Sequence, residues 1–414
     1  MNKIYKNILN KKFLFFIILA ILVFYRSPYI LLEGRFLAEE GEYWYRNIFL
    51  NGQLKTLILI IDMSGYINMW MNIAAFFSGM VPMEYAPLVT VYFSFVLLMY
   101  IFFYIINSKS DLFPTNNSKY IGCMIVLFSP VMTAEIWLNS LNAMSYLGIL
   151  TFLILFENNQ LSSFKRFNFF VLLVSGLSAF YASALAPIYF IKYFHTKRKT
   201  DLLNFFILVL TSTIQISITF YSMIANEIAT NRFYIGYEKI VNYLYNIILK
   251  SLFGREFLQK IMTLIDLDLL IFFSFIFFIV AISFFFKILI TKKDYVLRLI
   301  FAAFVIESFL VLFASAYEDF VGGRYQVVSG VIFSFMFLRL FYLQKEKFKK
   351  FLCGFIVLFF LIVGFLEFKQ AALYPNLLSC IDCPKWENEV SKWKINNKYR
   401  LKVWPYPNQT MILY

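Results

Sequence analysis

Long, predominantly apolar runs constrain this chain more than any other feature of its sequence. Such runs occupy residues 13–32, 269–286 and 351–366. A helix needs about 20 apolar residues to cross the ~30 Å hydrocarbon core of a bilayer. Within lipid, only helices and closed barrels satisfy the backbone polar groups, and these runs lack the alternation of barrel strands. The sequence therefore predicts an all-α, polytopic integral membrane protein.

The composition agrees with a membrane-embedded chain. Of its 414 residues, 61% are hydrophobic and only 15% are charged, with a mean hydropathy of +0.71. A soluble domain carries about 25% charged residues, so this composition excludes the ordinary soluble class. The first run follows Lys3, Lys6, Lys11 and Lys12, as in a signal peptide. It continues to Leu32 without a small-x-small cleavage pattern, which favours a retained first helix.

About eleven segments are predicted to be embedded in the membrane. They are residues 13–32, 87–106, 120–136, 141–156, 168–180, 183–194, 202–224, 266–286, 296–316, 326–341 and 351–368. With the N-terminus inside, more than half of the 38 Lys and Arg residues fall in short inner loops, whereas most of the 24 acids do not. The positive-inside rule then places the C-terminal tail outside. Because the basic residues are dispersed over many loops, the +14 net charge does not indicate a nucleic-acid partner.

Two of these segments, 168–180 and 183–194, are too short to cross separately, because thirteen helical residues rise only ~20 Å. We expect this stretch to enter and return on the cytoplasmic side, or to cross a thinned region. The predicted domains are a membrane domain, residues 1–368, and a small extracytoplasmic tail, residues 369–414. The predicted outer loops are residues 33–86, with an interfacial helix within 65–80, residues 225–265, and residues 317–325.

The four cysteines divide into two pairs. Cys123 and Cys353 lie in hydrophobic segments, where a free cysteine behaves as a small apolar residue. Cys380 and Cys383 form Cys-Ile-Asp-Cys in the outer tail, where an oxidising compartment favours a local disulfide. A redox pair is the alternative. A zinc site would need further ligands, and the single histidine, His195, lies on the inner side.

The first outer loop carries an acidic cluster. Glu33, Glu39, Glu40 and Glu42 follow directly after the first segment. A carboxylate at this membrane face is able to accept a proton from a hydroxyl or to help hold a divalent cation. The structural alternative is that acids in outer loops only solvate the surface. The neighbouring aromatic residues suit sugar stacking and an interfacial belt equally well; they are Phe36, Tyr43, Trp44 and Tyr45.

Further motifs accompany this cluster in order along nearly the whole chain. They occupy residues 35–41, 64–66, 82–87, 137–147, 323–325, 383–386 and 403–405. In this order and placement they resemble the bacterial polytopic membrane glycosyltransferases of the C-type superfamily, in a glucosyltransferase-like branch. That branch usually has Glu-Asp-Gly where this chain has Glu39-Glu40-Gly41. It also usually has a Pro-Tyr-Ala-Gly-Tyr-like stretch where this chain has Asp-Met-Ser-Gly-Tyr at residues 62–66. These departures leave open which glutamate is catalytic and what is bound.

The resemblance implies an enzyme that takes a sugar from a polyprenyl-phosphate-linked donor. The acceptor would be a cell-surface glycan or lipid, and the reaction would occur at the outer face of the bacterial cytoplasmic (inner) membrane. Lipopolysaccharide O-antigen is the type of cell-envelope product expected. Displacement assisted by a single base implies inversion at the anomeric carbon. Membrane lipids are the other expected partners. The resemblance implies no particular cofactor, and it leaves the need for a divalent cation open.

The resemblance also assigns roles to residues. Glu40, or failing that Glu39, is the general base for the acceptor hydroxyl. Arg324 and Arg35 are the candidates for binding the donor phosphate, because a planar guanidinium suits phosphate. The candidate substrate-binding residues are Tyr66, Asn139, Asn142 and Tyr325.

Each of these assignments has a structural alternative. Residues 322–324 also fit a tight turn, and Asn139 and Asn142 also fit helix caps. Arg35 also fits an ion pair with Glu39 at the i, i+4 spacing.

Two other functions stay open. A polymerase or ligase of lipid-linked oligosaccharides usually relies on Arg-rich large outer loops, whereas the first outer loop here is acidic. A polysaccharide or lipid transporter is expected to show inverted repeats and broken helices that meet at the midplane. Glu307, in segment 296–316, is the one acid predicted near the midplane. An acid at that depth should face the bundle interior, with a structural partner or in its protonated form.

Overall fold

The computed structural model describes residues 3–61, 65–132, 134–158, 164–178, 180–225, 245–255, 294–314, 323–369, 384–404 and 409–414, together with isolated positions between 258 and 290. Over these ranges the chain is all-α apart from two short two-stranded sheets, so the predicted fold class is confirmed at this level.

The helices and strands follow one another as short and long elements. The α-helices over the described ranges are α1 (Lys3–Arg26), α2 (Pro28–Glu33), α3 (Arg46–Asn51), α4 (Gln53–Thr56), α5 (Met69–Ser78), α6 (Ala86–Asn107), α7 (Asn116–Leu127), α8 (Met144–Leu155), α9 (Lys165–Gly176), α10 (Phe180–Ala184), α11 (Ala186–Thr196), α12 (Lys199–Ile224), α13 (Ser251–Phe253), α14 (Tyr295–Ala314), α15 (Val327–Leu343), α16 (Lys347–Leu366) and α17 (Trp386–Ile395). Glu40–Tyr45 and Tyr245–Lys250 are π-helical, and Met83–Tyr85, Ala134–Ile136 and Gly323–Gln326 are 3₁₀ turns. Antiparallel strand pairs are β1 (Ile60–Ile61) with β2 (Tyr66–Ile67), and β3 (Leu401–Lys402) with β4 (Thr410–Met411).

Five helices in the described ranges are long and apolar enough to cross a membrane. They are Met83–Asn107, Lys199–Ile224, Tyr295–Leu312, Arg324–Leu343 and Lys347–Leu366. A further pair, Arg166–Gly176 with Phe180–Thr196, bends by 113° at its break, as either a broken span or a re-entrant loop. This bend agrees with the prediction that residues 168–180 and 183–194 do not cross separately. The helices therefore indicate a membrane protein.

Some helix bounds differ from the predicted segments, and prolines account for two of the differences. α1 ends at Arg26, and Pro28 starts the separate helix α2 because a proline lacks the N–H that would continue the first helix. α7 ends at Leu127 rather than continuing to residue 136, since Pro130 disfavours helix at Ser129. The next helix, α8, begins only at Met144. The chain between α7 and α8 is therefore a long connection, in which Ala134–Ile136 is a 3₁₀ turn.

A helix is present where the sequence predicted one within residues 65–80 of the first loop (residues 33–86), and it is α5. The side chain of Asn68 caps its start by accepting from the N–H of Met71, 3.2 Å away. The strand before it is tied to α12 by Gln215, whose amide donates to the carbonyl of Ile67 at 2.9 Å and accepts from its N–H at 3.1 Å. This double hydrogen bond fixes the β1–β2 hairpin against the long apolar helix.

Two hydrophobic clusters organise the fold. The main core lies among the long helices, where Phe102, Phe152 and Phe335 are fully buried. The second cluster, which we call the loop–tail cluster, joins the first loop to the C-terminal tail. Its buried members are Phe36, Trp44, Tyr45, Ile48, Met71, Ala75, Ala86, Trp386, Val390, Leu401, Val403, Met411 and Leu413. The first loop and the tail therefore lie on the same side of any membrane that the helices cross.

Polar contacts reinforce the loop–tail cluster at its edge. The indole N–H of Trp386 donates to the carbonyl of Met83 at 2.8 Å, and the same ring packs edge-on against Phe36 with centroids 5.1 Å apart. Lys394 forms an ion pair with Glu84. Exposed pairs of this kind add little stability, so the buried aromatic area is the main force that holds the tail to the loop.

Candidate functional site

Glu40 is the most fully enclosed member of the acidic cluster. Its Oε1 accepts hydrogen bonds from the backbone N–H groups of Ser140 at 2.8 Å and Leu141 at 3.2 Å. Its Oε2 accepts from the N–H of Leu37 at 3.1 Å. The side chain is only 1% exposed. One carboxylate thus joins the first loop to a segment a hundred residues away.

Burial and hydrogen bonding act in opposite directions on the Glu40 carboxylate. Desolvation raises its pKa from 4.5 to about 7, and the charge of Glu39 adds to this rise. The three backbone N–H groups favour the charged form and offset part of the effect. Near neutral pH this carboxyl group is therefore divided between its protonated and ionised forms, which is the state that suits a general base.

The tail shapes the backbone that carries the two glutamates. Ala38 has a left-handed φ of +43°, and its N–H donates to the carbonyl of Trp404. The N–H of Trp404 in turn donates to the carbonyl of Phe36 at 3.1 Å. A Cβ on Gly41 would lie 2.8 Å from Cγ1 of Val403, so only glycine permits this approach. The Glu39-Glu40-Gly41 sequence thus fits a loop that packs directly on the tail.

Arg35 lies within electrostatic range of the Glu40 carboxylate. Its side chain is buried, and its Cζ lies 4.4 Å from the centroid of the Trp404 ring. Burial lowers the pKa of Arg35 to about 10, while the nearby Tyr29 and Glu40 raise it. The guanidinium therefore stays charged at neutral pH. The structure brings together two of the residues predicted for the site, Arg35 and Glu40.

The other two acids of this turn are less enclosed. Glu39 is half-buried and directly precedes the π-helical turn, whereas Glu42 is half-buried within it. Burial raises the pKa of Glu42, and the charge of Glu39 adds to this rise, while Arg46 lowers it. Glu39 therefore has better access to solvent than Glu40, whereas Glu40 lies in the more strongly desolvated environment.

Arg324 meets a partner that the sequence analysis did not assign to it. Its Nη1 lies 3.7 Å from Oε2 of Glu135, with the two side chains 32% and 19% exposed. The guanidinium also sits 5.2 Å from the ring centroid of Tyr325 and donates to the hydroxyl of that residue at 3.4 Å. Arg324 and Tyr325, both predicted site residues, therefore form one unit with Glu135.

Asn139 and Asn142 fold the loop that follows Glu135. Their Nδ2 atoms donate to the carbonyl of Glu135 at 3.3 and 3.1 Å. The N–H of Asn142 donates to Oδ1 of Asn139 at 3.1 Å. Both side chains are buried, and Leu138, directly before Asn139, has a left-handed φ of +51°. The observed contacts are local hydrogen bonds to the backbone of Glu135. Neither asparagine caps α8, whose N-terminal cap position is Ala143 without a side-chain hydrogen bond.

Residues 135–142, which we call the 135–142 loop, connect the two parts of the site. At one end Glu135 pairs with Arg324, and at the other the N–H groups of Ser140 and Leu141 bind Glu40. The hydroxyl of Ser140 donates to the carbonyl of Thr90 and so anchors the loop on α6. The sequence did not predict this bridging role, because it depends on contacts between residues that lie far apart along the chain.

Tyr66 belongs to the Arg324 side of this arrangement. Its ring packs edge-on against Phe180 with centroids 5.6 Å apart. The hydroxyl of the neighbouring Tyr181 donates to the carbonyl of Tyr325 at 3.3 Å. Tyr181 interacts electrostatically with Tyr66, Arg324 and Glu307. The structure thus gathers the predicted residues into two groups, one around Glu40 and one around Tyr181, with the 135–142 loop between them.

Comparisons of the chain with protein-family models, with curated proteins and with solved structures gave no match. The chemistry of the site therefore has to follow from its own residues.

Several predicted residues lie outside the described part of the chain. Cys380 and Cys383 are among them, as are residues 62–64 and most of the predicted loop at 317–325. Cys123 and Cys353 are free and buried, as predicted. In the described ranges no three His, Cys, Asp or Glu side chains are grouped as metal ligands.

Glu307 lies inside the helix bundle, as predicted. It is completely buried on α14. Neither of its carboxyl oxygens has a hydrogen-bond partner among the residues that the structure describes. The expected structural partner is therefore not found there.

Proposed function

We propose that this protein is a membrane glycosyltransferase that moves a sugar from a polyprenyl-phosphate carrier to a hydroxyl group of a glycan or lipid acceptor. The observation that carries the proposal is the enclosed Glu40 carboxylate, whose pKa of about 7 suits proton transfer at neutral pH. Buried Arg35, within electrostatic range of Glu40, and Arg324 across the 135–142 loop supply positive charge for a phosphate.

The proposed reaction is a single displacement. The acceptor oxygen attacks the anomeric carbon and forms the new glycosidic bond, while its proton passes to the Glu40 carboxylate. The bond between the anomeric carbon and the phosphate oxygen breaks, and its electron pair leaves with the polyprenyl phosphate. The transition state is oxocarbenium-like, and one base on one face of the sugar gives inversion. A guanidinium stabilises the negative charge that grows on the phosphate.

Glu40 is preferred to Glu39 as the base, because its pKa is poised near neutral and its geometry is fixed. An ionised carboxylate accepts about four hydrogen bonds, and the three backbone donors leave one position for the acceptor hydroxyl. Glu39 has better solvent access, so it is the second candidate. Access to Glu40 requires movement of the groups that cover it, since the side chain is 1% exposed.

The proposed topology has about eleven embedded segments, an inner N-terminus and an outer tail, in the bacterial cytoplasmic membrane. The loop–tail cluster supports this arrangement, because it requires the first loop and the tail to share one side. The Lys and Arg distribution makes that side the outside. Glu40 and Arg324 would then act at the outer face, where lipid-linked sugars and envelope acceptors meet.

A transporter is the second candidate function, and Glu307 is the observation that favours it. A buried acid within a membrane helix, without a hydrogen-bond partner in the described ranges, is a typical feature of proton- or cation-coupled carriers. A transport role needs no covalent chemistry at Glu40.

One assay separates the two functions. The purified full-length protein in detergent is given polyprenyl-phosphate-glucose and a lipid-linked glycan acceptor, and free polyprenyl phosphate is measured. If the protein transfers the sugar, the release of polyprenyl phosphate should depend on the presence of the acceptor. A folded protein that releases no polyprenyl phosphate with any of a panel of acceptors, yet moves the lipid-linked sugar across a vesicle membrane, would support the transporter instead.

A further inference from the structure

Arg26 is a buried cation whose hydrogen-bonding capacity is mostly unused. It ends α1 and is 3% exposed. One of its nitrogens, Nη2, donates to the carbonyl of Met132 at 3.0 Å. Its Cζ lies 4.2 Å from the centroid of the Trp137 ring and 4.9 Å from that of Phe368. The other two nitrogens, Nε and Nη1, have no hydrogen-bond partner in the described ranges.

Three more buried polar groups near the same segment also lack partners within the described part of the chain. They are the indole N–H of Trp137 and the hydroxyl groups of Ser129 and Ser251. Ser129 and Trp137 flank Met132 along the chain. Ser251 adjoins the same segment, because the space beside Gly330 is bordered by both its Oγ and the side chain of Val131. All of these groups are able to donate a hydrogen bond.

Lys250 adds a second buried charge next to Ser251. Burial, and to a smaller extent the charge of Arg255, lower the pKa of Lys250, whereas Glu367 and Glu135 raise it, and the resulting pKa is about 8. The ammonium group is therefore mostly charged at neutral pH, and it lies within electrostatic range of Glu135. We call Arg26, Ser129, Trp137, Lys250 and Ser251 the Arg26 niche.

The chemistry of the Arg26 niche selects an anion. Buried donors without acceptors are rare in proteins, and a group of them that includes a guanidinium matches a ligand with several acceptor oxygens. A phosphate ester has such oxygens, and a guanidinium binds two of them at once. An amine or a metal cation would instead be repelled by the positive charge of Arg26, and the surrounding groups would present hydrogen-bond donors to it.

The position of the niche points to a lipid as the carrier of that phosphate. Arg26 ends a helix whose outward face is apolar, with Ile18, Ile21 and Phe24 exposed. A chain of apolar carbons packed along this face would bring a terminal phosphate to the level of Arg26. The niche is covered, so the ligand must displace side chains such as Phe368.

We propose that the Arg26 niche binds the phosphate of a polyprenyl phosphate, with Arg26 as its principal ligand. This inference rests on the proposed function and deepens it, because it adds a ligand for the carrier phosphate to Arg324 and Arg35. Arg324 is paired with Glu135 and Arg35 is stacked on Trp404, whereas two nitrogens of Arg26 have no hydrogen-bond partner in the described ranges.

The test is a binding measurement that needs neither sugar nor acceptor. Full-length protein in phosphatidylcholine nanodiscs is titrated with radiolabelled undecaprenyl phosphate, with undecaprenol as the probe that lacks phosphate. We expect the phosphate to improve binding, and Arg26→Gln to weaken it roughly 10- to 100-fold. Arg26→Lys should restore binding in part, because it keeps the charge but not the planar fork. Arg166→Gln, at an exposed arginine on α9, is the matched control and should bind like wild type.

Two outcomes would overturn the inference. One is equal binding of undecaprenyl phosphate by wild type and by Arg26→Gln, when thermal unfolding shows both to be folded. The other is an Arg26-dependent signal that inorganic phosphate or phosphatidylglycerol competes away as well as undecaprenyl phosphate does, which would assign the niche to another phosphate. The transfer assay is independent: active transfer with unchanged Arg26→Gln binding removes this site while the proposed function stands.

Discussion

Oε1 of Glu40 lies 2.8 Å from the backbone nitrogen of Ser140, and this hydrogen bond joins the first loop to the 135–142 loop. The hydrogen bonds to the Glu40 carboxylate come from backbone N–H groups rather than from a charged side chain. The free energy of this contact therefore depends strongly on whether the carboxyl group is protonated. The same loop pairs Glu135 with Arg324. A substitution of Glu40 should therefore affect both the stability of the protein and the environment of Arg324.

The raised pKa of Glu40 predicts a pH-dependent stability. Because the folded-state pKa, about 7, exceeds the ordinary value of 4.5, the folded protein binds more protons between these pH values than the unfolded chain. Its free energy of unfolding should fall as pH rises from 4.5 to 7 and then level off, by about 3 kcal/mol in total. The measurement compares wild type with Glu40→Gln, which cannot titrate, in unfolding experiments from pH 4.5 to 8. A difference between the two proteins that does not change with pH would contradict this account.

Gly41 predicts a steric coupling between the first loop and the tail. Gly41→Ala should reduce stability by about 1–3 kcal/mol, because its Cβ would lie 2.8 Å from Cγ1 of Val403. Val403→Ala removes that atom, so the double variant should recover part of the loss beyond simple additivity. Thermal unfolding of the four proteins completes the cycle. Additive effects of the two substitutions would show that the tail does not pack on Gly41.

Arg324 predicts a mixed effect on binding and turnover. Arg324→Ala should weaken binding of the polyprenyl-phosphate sugar and slow its transfer, while Arg324→Lys should rescue both only in part. The ion pair with Glu135 is partly exposed, so its loss should cost about 1 kcal/mol of stability or less. Donor binding, single-turnover rate and thermal unfolding are measured on each variant. A large loss of stability with unchanged donor binding would make Arg324 a structural residue only.

The loop–tail cluster predicts a shared side for two distant parts of the chain. Single cysteines at the exposed positions Lys55 and Lys394 should both react with a membrane-impermeant maleimide in intact cells, in a background without the native cysteines. A cysteine at the exposed Lys199 should react only after the membrane is broken, since the positive-inside rule predicts that the basic loops lie inside. Labelling of Lys55→Cys without Lys394→Cys would refute the common side. Labelling of Lys199→Cys in intact cells would refute the orientation.

The sequence predicted the long helices closely, because hydrophobic length alone defines them. Segment 87–106 became Ala86–Asn107, and segment 202–224 became Lys199–Ile224. Segment 120–136 was too long, because an apolar run does not reveal that Pro130 ends α7 early. The connection that this leaves carries Glu135, Asn139 and Ser140.

The sequence indicated the candidate residues of the site but not the contacts among them. The Glu39-Glu40-Gly41 motif made this turn a candidate, yet nothing in the local sequence shows that Ser140 and Leu141 bind Glu40 from a hundred residues away. Arg26 had no sequence signal either. A basic residue at the end of an apolar segment looks like an ordinary interfacial anchor, and Arg26 is distinguished by two nitrogens that have no hydrogen-bond partner in the described ranges.

The most direct test of the proposed function is single-turnover sugar transfer by Glu40→Gln. Glutamine keeps the size of the side chain and removes its basicity, so transfer should fall by roughly 10²–10⁴ with little change in donor binding. Glu39→Gln should lose much less, and Glu42→Gln, on the same turn, should transfer like wild type. If Glu40→Gln and Glu39→Gln are both folded and both retain near-full transfer, neither glutamate is the base and the proposed mechanism is wrong.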